Sequence, residues 1–219
     1  MRVLLATIMM AVTALAGAAQ AASGPREKIL VSTTWLAANL ADPKLVILQV
    51  GDKPAYDAGH IPGARLVNLG DISAAPSGPM SLTLEMLDAA TLRDRLASLG
   101  ISDTSRIVVY PTRDIQSATR VVFTLDAAGL GARTVLLDGG LGTWKAEARA
   151  LSTEVAAVKP GKLAALKMKS LVVDAAFVTA HVGTPGYVLV DARAPEFYSG
   201  AKAGGMPSKP HKEIGRAHV

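Results

Sequence analysis

Residues 106–129 read RIVVYPTRDIQSATRVVFTLDAAG. Arg106–Tyr110 is a run of β-branched and aromatic residues with no polar alternation, the pattern of a strand buried on both faces. The periodicity then changes. From Ser117 to Ala128 the apolar residues Val121, Val122 and Leu125 recur at helical spacing, and Gly129 suits the stop. Ser117 is expected to be the helix N-cap. A buried strand that runs through a short loop into an amphipathic helix is half of a βαβ unit. It predicts an α/β domain with a mostly parallel sheet.

The same alternation extends to both sides. Ile29–Val31 reads as a short strand, followed by a helix capped by Ser32 or Thr33 that runs to Leu40, with Trp35, Leu36 and Leu40 on one face. Leu45–Val50 is a buried strand and Leu87–Leu99 a helix. Val135–Leu137 and Leu141–Ala148 add a strand and a helix. The region 151–168 lacks a clean period and holds Lys159, Pro160, Gly161 and further lysines. Its simplest reading is a solvated basic linker. The pattern then restarts, with strands expected at Leu171–Val173 and Tyr187–Asp191 around a helix at Ala175–Val182.

Composition narrows the chemistry. The chain has 219 residues, no cysteine and a formal charge of +5. Without cysteine there is no disulfide, no thiolate metal site and no cysteine nucleophile. The four histidines, His60, His181, His211 and His218, are too few and too scattered for a dense metal site. The positive charge belongs to the C-terminal third. No aromatic residues interleave with its lysines, so nucleic-acid binding is not expected. The phosphate-loop pattern GxxxxGK[ST] and the serine-hydrolase pattern GxSxG are both absent.

The two ends read differently from the rest. Residues 1–21 form an expected signal peptide: Arg2, the apolar run Val3–Leu15, then Ala19-Gln20-Ala21 as a cleavage site. The remainder is expected to be soluble and exported, to a bacterial periplasm, with no membrane association after cleavage. Ile214–Val219 looks like a translated sequencing-library adapter. Residues 213–219 are therefore expected to be an artefactual tail, and no chemistry is read from Arg216 or His218.

Three segments carry a family resemblance. They are Gly59-His60-Ile61-Pro62-Gly63-Ala64 preceded by Tyr56, the strand Arg106–Tyr110 with its loop and helix, and Leu137-Asp138-Gly139-Gly140-Leu141 with Trp144. In the first, glycine and proline set a turn that Ile61 and Ala64 bury, and His60 reads as a hydrogen-bonded turn residue. In the third, paired glycines turn a strand sharply into a helix, and Trp144 plugs the core. Together with Val31–Leu36, their order and spacing resemble the rhodanese-like sulfurtransferases of the tandem-domain type.

The resemblance implies a three-layer rhodanese-like domain at 27–150, a linker at 151–168 and an incomplete second copy at 169–212. It also implies a small sulfur-containing anion as substrate and no metal or organic cofactor. Active members lead the loop after the central strand with a catalytic cysteine, in the pattern Tyr-Cys-x-x-Gly-x-Arg-Ser. Here that pattern reads Tyr110, Pro111, Thr112, Arg113, Asp114, Ile115, Gln116, Ser117 without a gap. Proline stands for the nucleophile, aspartate for a glycine and glutamine for the anion-binding arginine. Gln49 and Gly51 stand where the family often has Asp-x-Arg, whereas the second copy keeps Asp191 and Arg193. The resemblance therefore implies an inactive first domain, with Arg193 open to two uses, substrate binding or a framework salt bridge. The chain is expected to be a fragment of an exported sulfurtransferase. The alternative is a non-catalytic binding or scaffold module.

Overall fold

The computed structural model describes residues 28–78, 81–155 and 157–202. The expected signal peptide and artefactual tail lie outside them, as does 203–212 of the expected second copy. Five strands form one all-parallel sheet: β1 (Leu30–Val31), β2 (Leu45–Val50), β3 (Ala64–Val67), β4 (Arg106–Pro111) and β5 (Thr134–Leu137). Their order is β1-β5-β4-β2-β3, so β4 and β2 are central. Strand β3 was not among the sequence expectations. Only its ends, Ala64 and Val67, are fully buried, and its four residues continue the turn motif without a period of their own.

The side-chain period of two sorts each central strand between two cores. Val46, Leu48 and Val50 of β2 and Ile107 and Val109 of β4 face helices α3 (Ala89–Ser98) and α4 (Ile115–Ala127). Ile47, Val108 and Tyr110 face helices α1 (Thr33–Asn39) and α5 (Gly140–Ala146), where Leu36, Leu141 and Trp144 close the layer. The outcome is a three-layer α/β domain. Leu40, expected on the inner face of the first helix, instead ends it as the C-cap and is 36% exposed.

The segment after α5 has no helix or strand through residue 168 among its described residues, but it is not a free linker. Ser152 and His60 exchange backbone hydrogen bonds of 2.8 and 2.9 Å. Further on, the Gly161 N–H donates to the Ala97 carbonyl at 2.7 Å and the Lys169 N–H to Ala127 at 2.8 Å. Ser102 and Asp103 hold Lys162 and Ala164. Leu163 and Leu166 pack against the α3–α4 core, while Lys159, Lys162 and Lys167 on either side of them are exposed. The segment is a strap from the start of edge strand β3 to the C-terminal ends of α3 and α4. At Gly161 only a hydrogen fits, since a Cβ would lie 2.0 Å from the Ile101 carbonyl oxygen.

Beyond the strap a local pattern repeats. Adding 142 to each residue number carries α1 onto helix α6 (Ala175–His181), and the start of α2 (Lys53–Asp57) onto the start of α7 (Pro195–Tyr198). The caps repeat too: Ser32 accepts from the Trp35 N–H at 3.1 Å and Asp174 from the Phe177 N–H at 2.7 Å. The strands do not repeat. Those expected at Leu171–Val173 and Tyr187–Asp191 are absent, and Val188 and Val190 are 80% and 76% exposed. A strand needs a neighbour to satisfy its backbone, and no described segment lies beside these residues as one.

Candidate functional site

The loop between β4 and α4 sits at the C-terminal end of the sheet, where open α/β folds place their ligands. Tyr110, the last fully buried residue of β4, anchors it from below. Its hydroxyl donates to Gln49 Oε1 at 2.6 Å and accepts from the Ile61 N–H at 3.1 Å. Burial raises the pKa of this phenol, so it stays a neutral donor. Gln49 is fully buried, and its amide nitrogen has no hydrogen-bond partner among the described residues. The turn beside it is equally fixed. His60 is fully buried, stacks on Tyr56 with ring centroids 3.8 Å apart, and sets its ring nitrogens 2.9 and 3.1 Å from the Tyr56 and Glu154 carbonyl oxygens. These contacts make His60 a structural residue of the turn.

Each loop residue has a definite place. Pro111 still pairs with Val50 as the end of β4, and its ring packs on Gly140. Gly139 and Gly140 have φ of 72° and 54°, which glycine adopts without a Cβ penalty. Thr112 donates its N–H to the Val50 carbonyl at 3.0 Å and lies over Gly51. A Cβ at Gly51 would stand 2.1 Å from the Thr112 hydroxyl, so an arginine there requires Thr112 to move. Arg113 is exposed and reaches Asp52 Oδ2 at 3.5 Å. Ile115 and Gln116 face solvent in the first turn of α4.

Asp114 decides the electrostatics. It, and not Ser117 as expected from sequence, is the N-cap of α4. Its Oδ1 accepts from the Ser117 N–H at 2.8 Å and from the Ser117 hydroxyl at 2.7 Å. The helix starts earlier, at Ile115, because Asp114 takes the cap position and Ser117, at the third helical position, donates to it twice. These bonds, the hydroxyl's first, hold the Asp114 carboxyl below the usual carboxylate range. The N-terminus of α4, which would otherwise attract an anion, already carries one.

The structure thus places Pro111 at the end of β4, Thr112–Asp114 in the loop and Ile115 and Gln116 in the first turn of α4, with Arg113 turned to Asp52. Sequence reasoning missed Asp52 as a participant. The signal was there: aspartate followed by Lys53 and Pro54 is a helix-start pattern, and Asp52 caps α2 through the Ala55 N–H at 2.8 Å. Arg193, named from the expected second copy, makes a two-pronged contact with Asp191 at 2.7 and 2.9 Å and lies over Phe197. That bond raises its pKa and secures its charge.

An all-parallel sheet of this order, with a strand–loop–helix crossing at the end of its central strand, defines the class as an open three-layer α/β domain with its candidate site at the sheet's C-terminal edge. Residues 32–147 match the family model described as Rhodanese-like domain, and the chain belongs to that family. It is 33% identical over 180 residues to a Pseudomonas aeruginosa protein named "Probable 3-mercaptopyruvate sulfurtransferase", an alignment covering 78% of this chain and 63% of the relative. It is 30% identical over 179 residues to the thiosulfate sulfurtransferase of Azotobacter vinelandii, covering 80% of this chain and 63% of that one. The chain thus spans less than two thirds of these relatives. The crystal structure of SseA from Escherichia coli, described as a 3-mercaptopyruvate sulfotransferase, superposes with a TM-score of 0.60 at 22% identity. That match covers 69% of this chain and 62% of that one, and it shows the shared fold.

Proposed function

We propose that this chain is the non-catalytic rhodanese-like portion of an exported sulfurtransferase. The reaction moves a sulfane sulfur from thiosulfate or 3-mercaptopyruvate to a thiophile such as cyanide. A cysteine thiolate attacks the outer sulfur of thiosulfate or the thiol sulfur of 3-mercaptopyruvate, forming a persulfide and expelling sulfite or the enolate of pyruvate, which takes up a proton at carbon. The thiophile then takes the outer sulfur and restores the thiolate. The cysteine would come from residues outside these 219. Support comes from the sulfurtransferase relatives, which extend beyond the matched region, and from Asp191 and Arg193, which occupy the family's Asp-x-Arg places. Arg193 would serve the substrate anion there. Export rests on the sequence of residues 1–21.

The observation that carries the non-catalytic reading is the loop itself. Pro111 holds the nucleophile's place without a thiol or an N–H, and the Asp114 carboxylate fills the end of α4. The purified chain, given thiosulfate and cyanide, is expected to form no thiocyanate above a protein-free blank. Measurable turnover by this cysteine-free preparation would overturn the reading. The alternative is a binding or scaffold module, favoured by the Asp114 carboxylate capping α4 in a domain that forms both of its core layers. Genomic sequence past the codon for Lys212 separates the two. A frame that continues to a loop led by cysteine supports the enzyme, and a stop codon supports the module.

A further inference from the structure

Away from the loop, the sheet face beside α1 is incompletely covered. A cleft of about 690 Å³ opens there, within the range that holds small-molecule ligands. Leu30 and Val31 of β1 and Val135 of β5 line it, all only half-buried, so apolar surface remains in contact with solvent. Trp35 forms one wall, and the Arg106 guanidinium lies 4.7 Å from its ring centroid. Arg133 joins Arg106 at the N-terminal ends of β4 and β5. Neither guanidinium makes an ion pair or a hydrogen bond among the described residues. The one carboxylate on the lining, Asp138, follows the far end of β5 and is engaged within the protein. Four strand residues separate the two ends, roughly 13 Å.

We propose that this cleft binds a small aromatic carboxylate, its ring on the apolar wall and its carboxylate between Arg106 and Arg133. Charge complementarity selects the anion: two guanidinium groups with no ion pair or hydrogen bond among the described residues stand at one end of the cleft, which also sets the ligand's direction. The aliphatic wall and the indole select a flat apolar body. The inference is independent of the sulfur-transfer reading, because none of these residues belongs to the β4–α4 loop.

The two tryptophans make the test direct. Trp144 is buried with its N–H on the Ala150 carbonyl, whereas Trp35 is half-exposed at the cleft. Titrating the full chain with 2-naphthoate should give saturable quenching of Trp35 emission that Trp35→Phe abolishes. The neutral analogue 2-naphthalenemethanol should bind at least about tenfold more weakly, as expected on losing two charge-assisted hydrogen bonds. Arg106→Gln with Arg133→Gln should weaken naphthoate by a similar factor, with far-UV circular dichroism unchanged. Absence of saturable quenching, or equal binding of the neutral analogue to the unaltered chain, would overturn the proposal even if the double variant fails to fold.

Discussion

Residues 30–57 and 172–199 share one local design, 142 residues apart, and meet different fates. In both, a capped seven-residue helix precedes a run of six mainly apolar residues and then a short helix. In the first, the run becomes β2, bonded to β3 on one side and β4 on the other, with Leu48 fully buried. In the second, Tyr187, Val188, Leu189 and Val190 are all at least half exposed. The difference lies in how each element satisfies its backbone. A helix closes its hydrogen bonds within a few residues, so caps and turns form wherever their sequence recurs. A strand borrows every bond from a neighbour, and parallel neighbours come from distant sequence.

The comparison breaks most visibly in the core. Leu48→Ala should lower stability by about 2–5 kcal/mol, whereas Val190→Ala at the matching place should stay within about 0.5 kcal/mol. Urea unfolding midpoints measure both, and equal losses would mean that 187–191 is packed after all. Next comes the strap, which belongs to the first region despite its linker-like composition. Gly161→Ala should cost about 1–3 kcal/mol, because the obstructing atom is a backbone oxygen that cannot rotate away. A neutral result would make the strap a loose tether. The smallest effect concerns the caps. Ser32→Ala should cost about 1 kcal/mol of global stability. Asp174→Ala should leave the global midpoint unchanged and only speed amide exchange in 175–181.

Much of the domain was legible from residue order because local and global signals agree there. Buried runs at 45–50 and 106–110, helical spacing at 87–99 and 117–128, and the paired glycines at 139–140 each point to the element that forms. The misses have physical causes. Strand β3 is too short to show a period. The strands at 171–173 and 187–191 had the right composition but no partner. Ser117 and Asp114 are both good caps three residues apart, and only geometry shows the first donating to the second. In the candidate site, the absence of cysteine could be read directly. The capping of α4 by Asp114 and the Asp52–Arg113 contact depend on rotamers that no spacing rule specifies.

The strap also sets how the domain would bear a pulling force. Tension on residues after Lys169 meets the Lys169–Ala127 bond first, then those at Ala164, Lys162 and Gly161, and the Ser152–His60 pair last. These bonds lie in series along the strap, so they would break in succession, as the teeth of a zipper do, rather than share the load. The sheet would feel force only after the strap had peeled back to the turn at His60. Until then the strap acts as a mechanical fuse between the domain and whatever follows it.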